Sequence, residues 1–122
     1  MGNRIEKFED IIAWQKANSI AIKIYKIFCD SNDYGFKDQI QRAAVSVMNN
    51  IAEGFERETR KEFIRFLYYS KGSVGEVRSM LNIAIELGYL PNDEYLDLKS
   101  KCENVSKQLS NFIKYLKEKE SN

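Results

Sequence analysis

The sequence predicts an all-α fold, an antiparallel up-down-up-down bundle of four helices. Apolar residues recur every three or four positions, which is typical of amphipathic helices and not of strands. The 122 residues include only one proline and six glycines, too few for the many turns of an all-β chain. Connections of about five residues separate the periodic segments and make neighbouring helices antiparallel. This length predicts a single domain, residues 1–122.

Four periodic segments define the predicted helices: Glu9 to Phe28, Gly35 to Ala52, Arg60 to Leu87, and Asn92 to near the end of the chain. Gly54 is expected to end the second helix with a positive φ. Thr59 and Glu62 have the spacing of a capping box, in which each side chain accepts the backbone N–H of the other residue. Gly88, followed by Pro91, is expected to end the third helix.

Small residues cluster in the third helix, at Ser70, Gly72, Ser73 and Gly75. A glycine inside a helix costs about 1 kcal/mol relative to alanine. The sequence therefore predicts that a neighbouring helix approaches closely here.

The first helix has more apolar surface than one bundle needs. One seam contains Ile11, Trp14, Asn18, Ala21, Tyr25 and Phe28, and a second contains Ala13, Ala17, Ile20, Ile24 and Ile27. A helix that buries one face needs only one wide stripe. We interpret the excess as a subunit interface formed by Ala17, Ile20, Ile24 and Ile27; isolated surface isoleucines are the alternative.

Several ordered blocks resemble a bacterial four-helix-bundle family encoded by intervening sequences within large-subunit ribosomal RNA genes and often labelled as ribosomal proteins. They are Phe8–Ile11, Trp14–Ala17, Arg42–Ser46, Asn50–Gly54, Lys61–Leu67, Gly72–Glu76 and Leu87–Leu90. The resemblance implies a homopentameric ring. It also implies a relation to accessory proteins of diversity-generating retroelements, which bind nucleic acid and reverse transcriptase. It identifies no reaction.

The composition favours a binding protein over an enzyme. Histidine is absent, which removes histidine-based catalysis and histidine metal ligands. Cys29 and Cys102 lack metal-site spacing and are expected to be two semi-buried thiols. Glu53 and Glu76 would lie on the order of 20 Å apart within one bundle, too far for a catalytic carboxylate pair. We expect no catalytic residue, metal or cofactor.

Two sets of polar residues are candidate functional groups. The first is expected to be a polar core network that fixes the helix register, with a polar pocket as the alternative. It consists of Trp14, Asn50, Glu53 and Glu76.

The second is a set of basic residues that are candidate nucleic-acid contacts, with Tyr68 and Tyr69 among them. These basic residues are Arg57, Arg60, Lys61, Arg65, Lys71 and Arg78. Acidic Glu56, Glu58 and Glu62 share this segment, so a solvated charged face is the alternative. Lys114, Lys117 and Lys119 are assigned to the negative end of the fourth helix dipole.

The near balance of 19 basic and 18 acidic residues does not by itself indicate nucleic-acid binding. The polar start, Met1–Glu6, does not resemble a signal peptide, and no apolar run is long enough to span a membrane. We therefore expect a cytoplasmic homo-oligomeric scaffold that binds RNA or an RNA-associated protein. The alternative is a protein-protein adaptor that binds no nucleic acid.

Overall fold

The structure, a computed structural model, describes residues 4–121 and confirms the all-α four-helix bundle. A 3₁₀ turn, Phe8–Asp10, precedes helices α1 (Ile12–Ile27), α2 (Tyr34–Phe55), α3 (Arg60–Glu86) and α4 (Asn92–Ser121). Residues 1–3 of the polar N-terminal segment lie outside this description. Within the described part of the chain, none of the helices has the length and apolar character that a membrane crossing requires.

Each helix packs against two neighbours, so that α1 contacts α2 and α4, and α3 contacts α2 and α4. The short connections make consecutive helices antiparallel. The shared core is built mainly from aliphatic side chains; its largest fully buried members include Phe28, Ile24, Ile40, Ile51, Leu67, Leu81, Leu98 and Leu109. Cys102 is buried in this core, where desolvation raises the pKa of its thiol to about 12. Cys29 is exposed, so the prediction of two semi-buried thiols is wrong for both cysteines.

Two of the predicted helix ends have the local geometry that the sequence indicates. The Thr59 hydroxyl accepts the backbone N–H of Glu62 at 3.1 Å, which is one half of the predicted capping box. The other half is not formed, since the Glu62 carboxylate pairs with Arg65. Gly88 has a φ of +72°, and Tyr89 N–H donates to the Ala84 carbonyl at 2.9 Å. Together with the bond from Gly88 N–H to Ile85, this is a Schellman motif.

The predicted roles of the helix glycines are wrong. Gly54 does not have a positive φ; it lies inside α2, which continues to Phe55. A Cβ at Gly54 would stand 2.6 Å from Phe66 Cβ, so this is where α2 and α3 approach most closely among the glycine positions. Gly72 and Gly75 are exposed and have no neighbouring atom within 4 Å of an added Cβ. The predicted close approach of a neighbouring helix is therefore confirmed at Ser70 and Ser73, which contact α2, and wrong at Gly72 and Gly75.

The predicted subunit interface on α1 is wrong in its residues. Ala17, Ile20 and Ile24 are buried in the bundle core, and Ile27 is half-buried against it. Because α1 packs against both α2 and α4, it needs a wide apolar stripe within its own bundle. The large aliphatic residues that α1 leaves exposed are Ile12 and Ile22.

The predicted polar core network is wrong for Trp14, Glu53 and Glu76, whereas Asn50 does belong to a partly buried network. Glu53 and Glu76 are exposed; Glu53 pairs with Arg57 at 2.6 Å, and Glu76 accepts a hydrogen bond from Gln39. Trp14 packs edge-on against Phe8. The core face of α2 is centred on Ile40, Ala44, Val47 and Ile51, which places Glu53 outside it.

Serine hydroxyls supply the polar contacts within the α2–α3 seam. Ser70 is fully buried and donates to the Val47 carbonyl at 2.6 Å. Ser46 and Ser73 share a hydrogen bond of 2.8 Å, and Asn50 donates to both the hydroxyl and the carbonyl of Ser46. These bonds satisfy polar groups between two closely packed helices.

Candidate nucleic-acid interface

Two neighbouring cavities between α3 and α4 share Ser110 and together form a groove. Its wider part, about 660 Å³, lies between Lys71 and Arg78 on α3 and a set of α4 side chains: Ser100, Glu103, Asn104, Ser106, Lys107 and Ser110. Its second part, about 390 Å³, shares Ser110 and is lined by Tyr68, Ile113, Lys114, Lys117 and Glu118. We call these two parts together the α3–α4 groove.

The helical repeat explains why these side chains share one groove. Lys71 and Arg78 are seven residues apart, which is two turns, so both lie on the side of α3 that faces α4. Lys107 and Lys114 have the same spacing on α4. Because one pair of cations lies on α3 and the other on α4, the two pairs line opposite walls.

The α3–α4 groove is strongly basic for a chain that is nearly neutral. Its lining contains five cations and two carboxylates, a formal charge of +3, whereas the whole chain carries only +1. Glu103 lies 3.5 Å from Arg78 and neutralises that end. Among residues 4–121, no carboxylate forms an ion pair with Lys71, Lys107 or Lys114. The positive field is therefore concentrated in the middle of the groove.

A separate cavity of about 380 Å³ adjoins the groove on α3. It is lined by Thr59, Lys61, Glu62, Ile64, Arg65, Tyr68 and Tyr69. Tyr68 lines both this cavity and the groove, so the two form one surface. We call the cavity the tyrosine pocket.

The six basic residues predicted from the sequence fall into three places. Lys71 and Arg78 line the groove, and Lys61 and Arg65 line the tyrosine pocket. Arg57 is held away from both, because it pairs with Glu53 and lies 4.6 Å from the centre of the Phe66 ring. Arg60 is exposed at the first position of α3 and lines neither cavity.

The α4 half of the groove was not predicted from the sequence, where Lys114 and Lys117 were assigned only to the negative end of the α4 dipole. The seven-residue spacing of Lys107 and Lys114, followed by Lys117, places a basic stripe on one side of α4 and could have indicated this face. Hydroxyl groups at Ser106 and Ser110 add neutral donors between the lysines.

Residues 4–121 contain no group of three or more Cys, Asp or Glu side chains placed to hold a metal ion. The groove supplies ammonium, guanidinium and hydroxyl donors, which are the groups that contact phosphate oxygens in nucleic-acid complexes. Its chemistry is therefore that of an anion-binding surface.

The comparisons with known proteins agree with this bundle. A family model described as 23S rRNA-intervening sequence protein matches residues 9–111. The fold is similar to the crystal structure of a protein of unknown function from the S23 ribosomal protein family of Bacteroides thetaiotaomicron VPI-5482. The TM-score is 0.77 and the sequence identity 22%, over 84% of this chain and 96% of that one. No curated protein matches. Because the family model covers most of the sequence, the chain belongs to the 23S rRNA-intervening sequence protein family.

Proposed function

We propose that this protein is a non-enzymatic scaffold that binds RNA through the phosphate backbone along the α3–α4 groove. The main support for this proposal is the formal charge of +3 in this groove, on a chain whose net charge is only +1. Lysine and arginine side chains bind phosphates and release counterions, which gives affinity without base recognition. A groove lined by five cations and several hydroxyls on two rigid helices fits this role.

We further propose that the protein acts as a cytoplasmic homo-oligomer, with the homopentamer that the family resemblance implies. Ile12 and Ile22 are exposed on α1 and offer an apolar contact for another copy. Five copies of a groove with modest affinity would act together on one RNA, because each later contact becomes intramolecular. Oligomerisation would thus compensate for the small charge of each subunit.

Charge reversal within the groove tests the proposal. Replacing Lys71 and Lys107 with Glu together removes two phosphate contacts and places two anions on opposite walls. RNA affinity, measured by fluorescence anisotropy, is expected to fall at least about tenfold at low salt. For a single-stranded RNA, the slope of log K against log salt is expected to shrink by about 1.4, since each contact contributes about 0.7.

The matched control is the pair Arg42→Glu and Lys101→Glu, which makes the same charge change at exposed positions of α2 and α4 that line neither the groove nor the proposed subunit contact on α1. This control variant is expected to bind RNA with an affinity within a few fold of the wild type. An equal loss in both variants would assign binding to net charge and contradict the groove. Absence of RNA binding by the wild type at low salt would instead favour the protein-protein adaptor, whose partner would dock on the outer surfaces of the oligomer.

A further inference from the structure

The tyrosine pocket differs in chemistry from the groove that it adjoins. Its apolar lining consists of Ile64 and the rings of Tyr68 and Tyr69. Lys61, Arg65 and Glu62 also line it, and Glu62 pairs with Arg65 at 3.7 Å, so the pocket has a formal charge of +1. An apolar cavity with aromatic walls and basic neighbours does not match a bare phosphate. It matches a flat, uncharged ring whose polymer backbone places a phosphate on either side.

Both tyrosine rings are held in place although they are exposed. The Tyr68 hydroxyl accepts a hydrogen bond from Lys117 at 2.7 Å, and the Lys117 ammonium lies 5.0 Å from the centre of the ring. The Tyr69 ring packs edge-on against Phe66, with the ring centres 5.4 Å apart. Nevertheless, Tyr68 and Tyr69 remain 45% and 51% exposed. Rings that are already ordered lose little conformational freedom when another ring stacks on them.

We infer that the tyrosine pocket takes an unpaired nucleobase of the RNA whose phosphates occupy the α3–α4 groove. The inference rests on the proposed function and adds a preference for single-stranded over duplex RNA. Base–aromatic stacking needs a base that is free of its own stack and partner, and every base has a suitable face. In a duplex, the bases are stacked and paired, so only the groove contacts remain.

The continuity of the two cavities supports a nucleobase over other flat groups. Tyr68 lines both the pocket and the groove beside Lys114 and Lys117. A strand whose backbone follows the groove therefore brings its next base to the tyrosines. Lys61 and Arg65 then lie beside the phosphate on the far side of that base.

Substitution of Tyr69 tests the inference with two probes, a short single-stranded RNA and the same sequence as a duplex. Tyr69→Ala is expected to weaken single-strand binding about tenfold, the typical loss for one stacked base, and to leave duplex binding unchanged. Tyr69→Phe keeps the stacking face and is expected to bind like the wild type. Circular dichroism of each variant checks that the exposed substitution leaves the helices intact.

Tyr115→Ala is the matched control. Tyr115 is 54% exposed on α4, its ring lies 5.5 Å from the Lys119 ammonium, and it lines neither cavity. Its removal is expected to leave both affinities unchanged. If Tyr69→Ala binds single strands like the wild type while the Lys71→Glu, Lys107→Glu variant loses binding, the nucleobase pocket is wrong and the phosphate groove stands. If the wild type binds neither RNA, both proposals are wrong.

Discussion

At the scale of single residues, Gly54 sets how closely α2 and α3 pack. A side chain at this position would meet the Phe66 Cβ at 2.6 Å and the Phe63 ring at 3.0 Å. The Phe66 Cβ is rigidly attached to the backbone of α3, so the contact is relieved only by moving one helix away from the other. The hydrogen bonds between Ser46 and Ser73 and from Ser70 to Val47 depend on the same spacing.

We expect Gly54→Ala to destabilise the protein by about 1–3 kcal/mol, the usual cost of overpacking a well-packed interface. The matched control is Gly72→Ala, which makes the same substitution within an exposed stretch of helix. With no atom within 4 Å of the new Cβ, Gly72→Ala is expected to stabilise the protein by up to about 1 kcal/mol. Urea unfolding measures the free energy of unfolding of both variants. Stabilisation by Gly54→Ala would show that α2 and α3 are not held at this distance.

At the scale of helices, Asp33 and Tyr89 connect the two loops at one end of the bundle. Asp33 caps α2 by accepting the Phe36 N–H, and its other carboxylate oxygen accepts the Tyr89 hydroxyl at 2.6 Å. The hydrogen bond from Tyr89, followed by that from Phe36, lowers the pKa of Asp33, and the Asp33 carboxylate raises the pKa of Tyr89. The contact therefore joins the α1–α2 loop to the segment between α3 and α4.

These shifts predict how the contact depends on pH. The pKa of Asp33 is lower in the folded protein than in the unfolded chain, where it is about 3.9. The ionised carboxylate therefore stabilises the fold at pH values above about 3.9, and this stabilisation is lost as the pH falls through the folded-state pKa. The raised pKa of Tyr89 adds stabilisation that is lost only as the pH rises above about 10. Tyr89→Phe is thus expected to lower the melting temperature at pH 7, and the difference from the wild type is expected to shrink by pH 3.

Tyr34→Phe serves as the control for this change, because Tyr34 is highly exposed at the start of α2. It is expected to leave the melting temperature unchanged at both pH values. A difference between Tyr89→Phe and wild type that is as large at pH 3 as at pH 7 would show that the stabilisation does not depend on the ionised Asp33 carboxylate.

Local signals in the sequence predicted the helix ends better than the helix neighbours. The cap at Thr59 and the turn at Gly88 involve backbone groups within five residues, so the sequence contains the whole interaction. The role of Gly54 depends on Phe66, which lies on another helix. Periodicity likewise showed two apolar seams on α1 but not that Ile20 and Ile24 face the bundle's own core.

At the scale of the whole molecule, the exposed aliphatic residues of α1 lead to a prediction about assembly. Ile22→Asp places a charge on a side chain that is 49% exposed, so the subunit itself should keep its fold. If α1 forms the interface between copies, the variant is expected to have a solution mass near 14.3 kDa, against about 72 kDa for a wild-type pentamer. Light scattering after size-exclusion chromatography measures both masses.

Ile83→Asp provides the comparison, since Ile83 is 51% exposed but lies on α3. This variant is expected to keep the wild-type mass. A wild-type mass for Ile22→Asp would place the interface on another face of the bundle, and a monomeric wild type would contradict the assembly itself.

The basic surface is a property of the whole fold and could be predicted only in part. Lys71 and Arg78 were identified because they share one helix and one spacing. Lys107 lies 36 positions beyond Lys71 in the sequence, and only the packing of α4 against α3 brings the two to one groove. Basic and acidic residues nearly balance along the sequence, so the sequence does not indicate the excess of positive charge in the groove. Carboxylates such as Glu53 and Glu76 lie on other faces of the bundle.

Ultraviolet cross-linking followed by mass spectrometry tests whether RNA lies in the α3–α4 groove. At low salt, nucleotide adducts are expected on the peptides that contain Tyr68 to Arg78 and Lys107 to Lys117. The same adducts are expected to diminish at high salt and in the Lys71→Glu, Lys107→Glu variant. Adducts confined to α1 or α2, or equally abundant in wild type and variant, would contradict the groove as the RNA-binding surface.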